Sequence, residues 1–365
     1  MNREIISSRQ GIVLMILFLF GSTFVVGAGG EAKKDMWLAI LLAMIAVIPM
    51  CLIYANLISS FPEKDLYDIL ILTFGKAIGK LIVLIYTFYA LHLGGLVLYN
   101  FNEFISNVGL GGTPRIVPSS IIMLLCVWII KQGIEGLGRW GEIFLPILLF
   151  IIFMAIILSI PNLRAGNILP VLEDGIMPVI KGTVSTFSFP MAETVLFTLV
   201  LSSLKSTKDS YRTYIVAIIF AGSVILLSAI RNTMVLGPYL LSLNYYPTFV
   251  AVARINIGNF LQRLESAVAI NFLITGFVKI SICILAASKG ISKLFNFEDY
   301  RFIVVPTALI ILNFSFIVTE DPMGLRKWNQ QVYPYYAGIF QVILPIIIFI
   351  CSKLRYGKVY NKGIQ

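Results

Sequence analysis

Charge is scarce in this chain. Asp, Glu, Lys and Arg make up only 13% of its 365 residues, where a soluble domain carries about 25%. That leaves too little polar surface to cover a water-soluble globule of this length. Histidine is nearly absent: His92 is the only one. With no second histidine, a transition-metal site is not expected. The four cysteines (Cys51, Cys126, Cys283 and Cys351) all fall inside apolar runs. They have no metal-ligand spacing and read as free core thiols. P-loop spacing, a zinc-ligand pair and a nucleophile elbow are all missing. An intramembrane enzyme needs a converging nucleophile and base. Only His92 could be an ordinary base, and no Ser or Cys is placed with it, so neither catalysis nor a cofactor is expected. The net charge of +10 could suggest nucleic acid. The simpler reading puts the Lys and Arg residues in cytoplasmic loops, with no nucleic-acid partner.

What is abundant is apolar sequence. The hydrophobic fraction is 58% and mean hydropathy is +0.92. A helix crossing a bilayer needs about 20 predominantly apolar residues. Such runs lie near residues 10–30, 36–58, 80–107, 117–132, 142–161, 176–203, 213–237, 264–288, 302–318 and 334–353. This predicts an all-α integral membrane protein of about ten spanning helices, the first of them uncleaved. Lys and Arg in the loops expected on one side outnumber those on the other by about two to one. That side includes Arg3, Arg9, Lys64, Lys131, Arg139, Lys205, Lys289, Lys293, Arg301 and Lys362. Both termini are therefore expected in the cytoplasm. Aromatics near span ends (Trp37, Tyr54, Tyr86, Trp140, Tyr333 and Tyr335) suggest an interfacial belt.

Ten spans divide into five plus five, and an odd-numbered repeat must invert its topology. The halves expected are 10–161 and 176–353, within a single membrane domain over 1–365. The first helix of each half is interrupted: at Gly21-Ser22-Thr23, followed by Gly27, Gly29 and Gly30, and at Ser185-Thr186-Phe187-Ser188-Phe189-Pro190. Each half has a long amphipathic linker between its second and third helices, roughly Ser59–Lys80 and Pro238–Arg263. Paired interruptions at matching positions point to a midplane binding site in an inverted-repeat fold. The second linker, with Tyr245-Tyr246-Pro247, would form a lid over that site or lie as a plain interfacial helix.

Several segments, taken in order, carry a family resemblance. They are Asn167-Ile168-Leu169-Pro170-Val171-Leu172-Glu173-Asp174-Gly175 before the broken sixth helix, and Arg263-Leu264-Glu265-Ser266 opening the eighth. Ala286-Ala287-Ser288-Lys289-Gly290 would close the eighth, and Tyr336-Ala337-Gly338-Ile339-Phe340 with Leu344-Pro345 lies in the tenth. Over essentially the whole chain this resembles the B subunits of spore germinant receptors, the GerAB-type family. That family belongs to the amino acid–polyamine–organocation permease superfamily with its LeuT-like inverted repeat. The resemblance implies a nutrient-triggered germination role in the spore inner membrane, beside A and C subunits and membrane lipids. The first helix departs most, matching the Gly-rich unwound segment of amino-acid permeases only at Gly21-Ser22-Thr23.

Charges inside spans are expensive and usually face a cavity or a partner. Lys279 lies near the middle of the eighth span and shares a helical face with Asn271 and Thr275. In LeuT-like proteins the first and eighth helices flank a sodium site. Lys279 could replace that ion, meet a ligand carboxylate, or pair with a carboxylate on another helix. Glu193 follows the sixth-helix break, where the family also has a Glu. It could receive a ligand amine, pair with Lys279, or cap freed amides. His92, Gly95, Tyr99, Glu103 and Ser106 share one face of the third helix. His92 reads as a hydrogen-bonded packing residue or a proton relay, and Glu103 as solvated near the span end. Arg231, in the seventh span, could snorkel or pair with Glu103. The candidate ligand-binding set is Gly21, Ser22, Thr23, Tyr99, Ser185, Ser188, Glu193, Thr275 and Lys279. The function expected is nutrient sensing, with an amino acid as the ligand. The alternative is a secondary transporter using the same site with proton or sodium coupling.

Overall fold

A computed structural model describes residues 4–109, 112–255, 264–319 and 322–360. Arg3, Arg263 and Lys362, which entered the readings above, lie outside the described residues. The elements are α1 (Ser8–Phe20), α2 (Thr23–Val26), α3 (Met36–Ser60), α4 (Leu66–Val108), α5 (Ile116–Gln132), α6 (Ile134–Leu158) and α7 (Ile176–Thr186). They continue with α8 (Ser210–Leu243), α9 (Pro247–Ala253), α10 (Glu265–Phe295), α11 (Val304–Ile317), α12 (Pro322–Gln331), α13 (Tyr333–Gly338) and α14 (Leu344–Tyr360). Among the described residues, seven helices are long and apolar enough to cross a membrane, and Ser8–Phe20 and Ile116–Gln132 are shorter apolar helices. The interrupted pass that begins with α7 brings the total to about ten. Large apolar side chains such as Ile45, Leu81, Leu124, Phe150 and Leu309 face outward, as lipid-facing surface must.

The first and sixth passes are broken where the sequence pointed. The α1 helix stops at Gly21, whose φ and ψ of 6° and −114° no helix contains, and α2 resumes for one turn. In the sixth pass, α7 runs into a wide turn at Phe187–Met191 and then a tight 3-10 stretch at Ala192–Thr198. Pro190 lacks an N–H and disfavours helical geometry in the residue before it. Phe189 is accordingly extended, at φ −136° and ψ 116°.

The two linkers also correspond. The described part of each is mostly helical and joins its span through a glycine with positive φ, Gly75 (φ 81°) in α4 and Gly237 (φ 72°) in α8. A side chain there would be strained, so glycine marks where the chain leaves the span. The inverted five-plus-five arrangement thus recurs in the hinges as well as in the breaks.

Two expectations about the helices and their ends need correction, and one helix is additional to those expected. The eighth helix does not close at Gly290; α10 continues to Phe295 and ends on Asn296 in a left-handed cap. Gly290 is there for packing, because a Cβ on it would collide with Thr87 Oγ1. The α12 helix was not expected; its mixed polar sequence carries no apolar run. Tyr54, Tyr86 and Tyr333 do not join an interfacial belt. All three are buried, and their hydroxyls donate inward to Gln341 O, Phe340 O and Glu193 Oε1 respectively. Tyr335 and Trp140 are exposed as a belt requires. The cysteines are free, three of them buried.

Candidate ligand site at the helix breaks

The two breaks meet the eighth and tenth passes at one buried polar cluster. Lys279 of α10 and Glu193 of the sixth pass are both fully buried. Lys279 Nζ donates to Glu193 Oε2 at 2.5 Å, and Tyr333 Oη donates to Glu193 Oε1 at 2.5 Å. The ammonium also lies over the rings of Phe18 and Phe189, 5.0 and 4.8 Å from their centroids, where the ring faces attract a cation. Of the alternatives for Lys279 and Glu193, the structure takes the pairing of each with the other. A buried ion pair is tolerable when further donors satisfy the carboxylate, and Tyr333 supplies that donor.

The first-helix break fits around this lysine. A Cβ on Gly21 would lie 2.5 Å from Lys279 Cδ, so glycine lets the lysine stem pass the break. Unwinding frees the Gly21 carbonyl, which accepts the Thr275 hydroxyl at 3.1 Å. Thr23 donates to Leu19 O at 2.9 Å, and Ser22 is buried beside it. In the sixth pass, the freed Ser188 carbonyl accepts Gln341 Nε2 at 2.9 Å, and the same amide nitrogen donates to Tyr89 Oη at 2.9 Å. Thus α13 and α14, joined through a wide turn at Ile339–Ile343, are tied to the sixth-pass break.

Beyond the first-pass break, at its Gly27–Glu31 end, lies a cavity of about 100 Å³. Gly27 to Glu31, Ser185, Phe189, Tyr245, Pro247 and Arg326 are among its lining residues. Phe189 borders both the cavity and Lys279. Tyr245 and Pro247 of the second linker line this cavity, and the linker's residues 256–263 lie outside the described residues. Near the start of the first pass, Glu4 accepts from Arg301 Nη2 at 2.6 Å, Tyr300 Oη at 2.8 Å and Ile134 N at 3.1 Å.

A profile of the family described as spore germination protein matches residues 5–322. The chain belongs to that family. Among curated spore germination proteins, it is 27% identical to KB of Bacillus subtilis over 356 residues, covering 96% of this chain and 95% of that protein. It is 26% identical to XB of Bacillus anthracis over 259 residues, covering 70% of this chain and 71% of that protein. The fold is that of MHP1, a nucleobase-cation-symport-1 family transporter solved closed with bromovinylhydantoin bound. The TM-score is 0.74 at 12% identity, over 98% of this chain and 82% of that one. MhsT, solved with L-phenylalanine, matches with a TM-score of 0.57 at 15% identity, over 100% and 99% of the chains. This spore germination protein is therefore a multi-pass membrane protein of the LeuT-like class.

Of the nine candidate residues, Gly21, Thr275, Lys279 and Glu193 meet directly, Ser22 and Thr23 continue the same break, and Ser188 joins through its carbonyl. Ser185 lines the cavity above. Tyr99 is not brought in; it borders a separate cavity with Asn102, Arg115 and Ser315. His92 packs among Phe88, Phe314, Trp328 and Tyr336, and Nδ1 meets no hydrogen-bond partner among the described residues. Rings, rather than a hydrogen bond at Nδ1, surround it. Glu103 is buried, not solvated, and pairs with Arg115. Arg231 neither reaches Glu103 nor snorkels: it is 4% exposed. Sequence reasoning missed Tyr333, Phe189 and Gln341. The fully charged Lys279–Glu193 pair was the available signal, since it requires a third donor.

Proposed function

We propose that this chain is the nutrient-sensing B subunit of a spore germinant receptor in the spore inner membrane, with both termini on the core side and A and C subunits as partners. A small nutrient, an amino acid by the family's character, binds between the broken first and sixth helices. It enters through the cavity lined by Ser185, Phe189 and Arg326. The observation that carries this reading is the buried Lys279–Glu193–Tyr333 cluster at the meeting point of both breaks. Glu193, Lys279 and Tyr333 come from three different passes. A ligand group competing for either member of the ion pair changes how those passes pack. A ligand shifts such an equilibrium only by its differential affinity for the two packings, and a buried ion pair that can be opened supplies that difference. The excess of Lys and Arg on the terminal face favours the core-side orientation.

Lys279 also bears on ion coupling. Its stem fills the break at Gly21 beside Thr275, between the first and eighth passes. A fixed ammonium there serves where a bound cation would otherwise neutralise Glu193 and the freed carbonyls, so nutrient binding is sodium-independent. The likeness in fold to MHP1 and MhsT favours one competing reading, a secondary transporter using the same site. Labelled amino-acid uptake by the purified chain in proteoliposomes separates the two. The receptor reading expects saturable binding without accumulation; concentrative uptake by this chain alone would overturn it.

A further inference from the structure

Arg231 is a second charge buried in the bundle, and nothing in the ligand site uses it. It lies in α8 and is 4% exposed. Its Nε and Nη1 meet no hydrogen-bond partner among the described residues. Among the described residues, no Asp or Glu lines the cavity in front of it. A guanidinium cannot shed its charge to escape burial, and a buried charge without a counter-charge is strongly unfavourable.

The surroundings specify the missing partner. Arg231, Asn271, Ser228 and Thr248 line a cavity of about 10 Å³ closed by apolar groups including Phe24 and Val268. Ser228 Oγ also lacks a partner among the described residues. Thr248 Oγ1 accepts from Asn232 Nδ2 at 3.0 Å, which leaves the threonine proton free to donate. The wall thus offers a fixed cation, hydroxyl donors and the unpaired Asn271 Oδ1, but no carboxylate. A cavity of this size holds about one water-sized particle, which is too little for an amino acid. A second void, of about 20 Å³, shares Phe24, Ser228 and Thr248 with it. That void in turn shares Gly27, Met36 and Pro247 with the outer cavity. The voids form a string running behind α2.

We propose that Arg231, Ser228 and Thr248 bind one small inorganic anion of chloride size, reached from the outer cavity behind α2. The anion neutralises Arg231 and braces α2 against α8 and α10. This site is distinct from the Lys279–Glu193 cluster and stands whether or not the nutrient reading holds.

The test uses the purified full chain in lipid nanodiscs, with chloride replaced by gluconate at constant ionic strength. Chloride is expected to raise Tm along a saturating single-site curve, as binding to the folded state alone requires. Bromide should substitute and gluconate should not. Arg231→Met should abolish the chloride response and, in gluconate, should be more heat-stable than the parent, because it removes an uncompensated charge. If Arg231→Met does not accumulate, Ser228→Ala with Thr248→Val is expected to weaken the chloride midpoint by about tenfold. Anomalous scattering from a bromide-soaked crystal should then place the ion beside Arg231. A parent Tm indifferent to anion identity overturns the proposal. So does a chloride response retained by Arg231→Met, bromide bound elsewhere, or stabilisation by amino-acid carboxylates in place of chloride.

Discussion

Lys279 and Arg231 are both cations buried within spans, yet their surroundings differ. Lys279 has a carboxylate at 2.5 Å, two aromatic faces, and a tyrosine satisfying the far side of its partner. Arg231 has two nitrogens without a hydrogen-bond partner among the described residues and a small cavity in front of it. The first is a closed electrostatic unit that ties three passes together. The second is an open half of one. A buried charge is informative about function through what balances it, and the balance lies in other helices. Position in a span alone does not reveal it.

The largest effect should come from breaking the closed unit. Lys279→Ala leaves Glu193 buried without its counter-charge, a cost of about 3–5 kcal/mol. Spores carrying it at normal receptor level should lose the nutrient response; a normal dose response would remove Lys279 from the site. Pairing it with neutralisation sharpens the point. Lys279→Met with Glu193→Gln should recover most of that stability in thermal unfolding while the nutrient response stays absent, since uncharged replacements of a buried pair are often neutral or better. Tyr333→Phe should be milder, costing about 1.5–3 kcal/mol for one hydrogen bond to a charged group. It should shift the nutrient midpoint without abolishing the response, as a germination dose curve would show. Gly21→Ala forces the lysine stem and the Phe18 carbonyl aside, with contacts at 2.5 and 2.8 Å, and should cost about 1–3 kcal/mol. The smallest effect belongs to a residue outside both units. His92→Phe, among its four rings, should change thermal stability by less than about 1.5 kcal/mol and leave the response intact. A lost response would restore the proton-relay reading.

Much of this is legible in the sequence. Apolar run length placed the passes, because a bilayer imposes one length on every helix that crosses it. The breaks at Gly21 and Ser185–Pro190 were visible because Gly and Pro act on the backbone locally. Lys279 and Glu193 stood out because charge in a span is rare. The extent of α10 was misread, since Gly290 serves contact with Thr87 rather than termination, and a glycine does not advertise which. The buried tyrosines were misplaced for a related reason. Tyr54, Tyr86 and Tyr333 look like belt residues in one dimension, and only the wide turn at Ile339–Ile343 and the carboxylate of Glu193 explain their inward hydroxyls.

The sequence by itself determined the solvent, the number of passes, the inverted pairing of the halves and the location of both interruptions. Each follows from composition or from backbone chemistry within a few residues. The tertiary structure alone decided which charge meets which. Lys279 takes Glu193 across 86 positions, Glu103 takes Arg115, and Arg231 is left facing a cavity. Electrostatic partnership depends on distance in space and on the dielectric around the pair, and neither quantity is written along a chain.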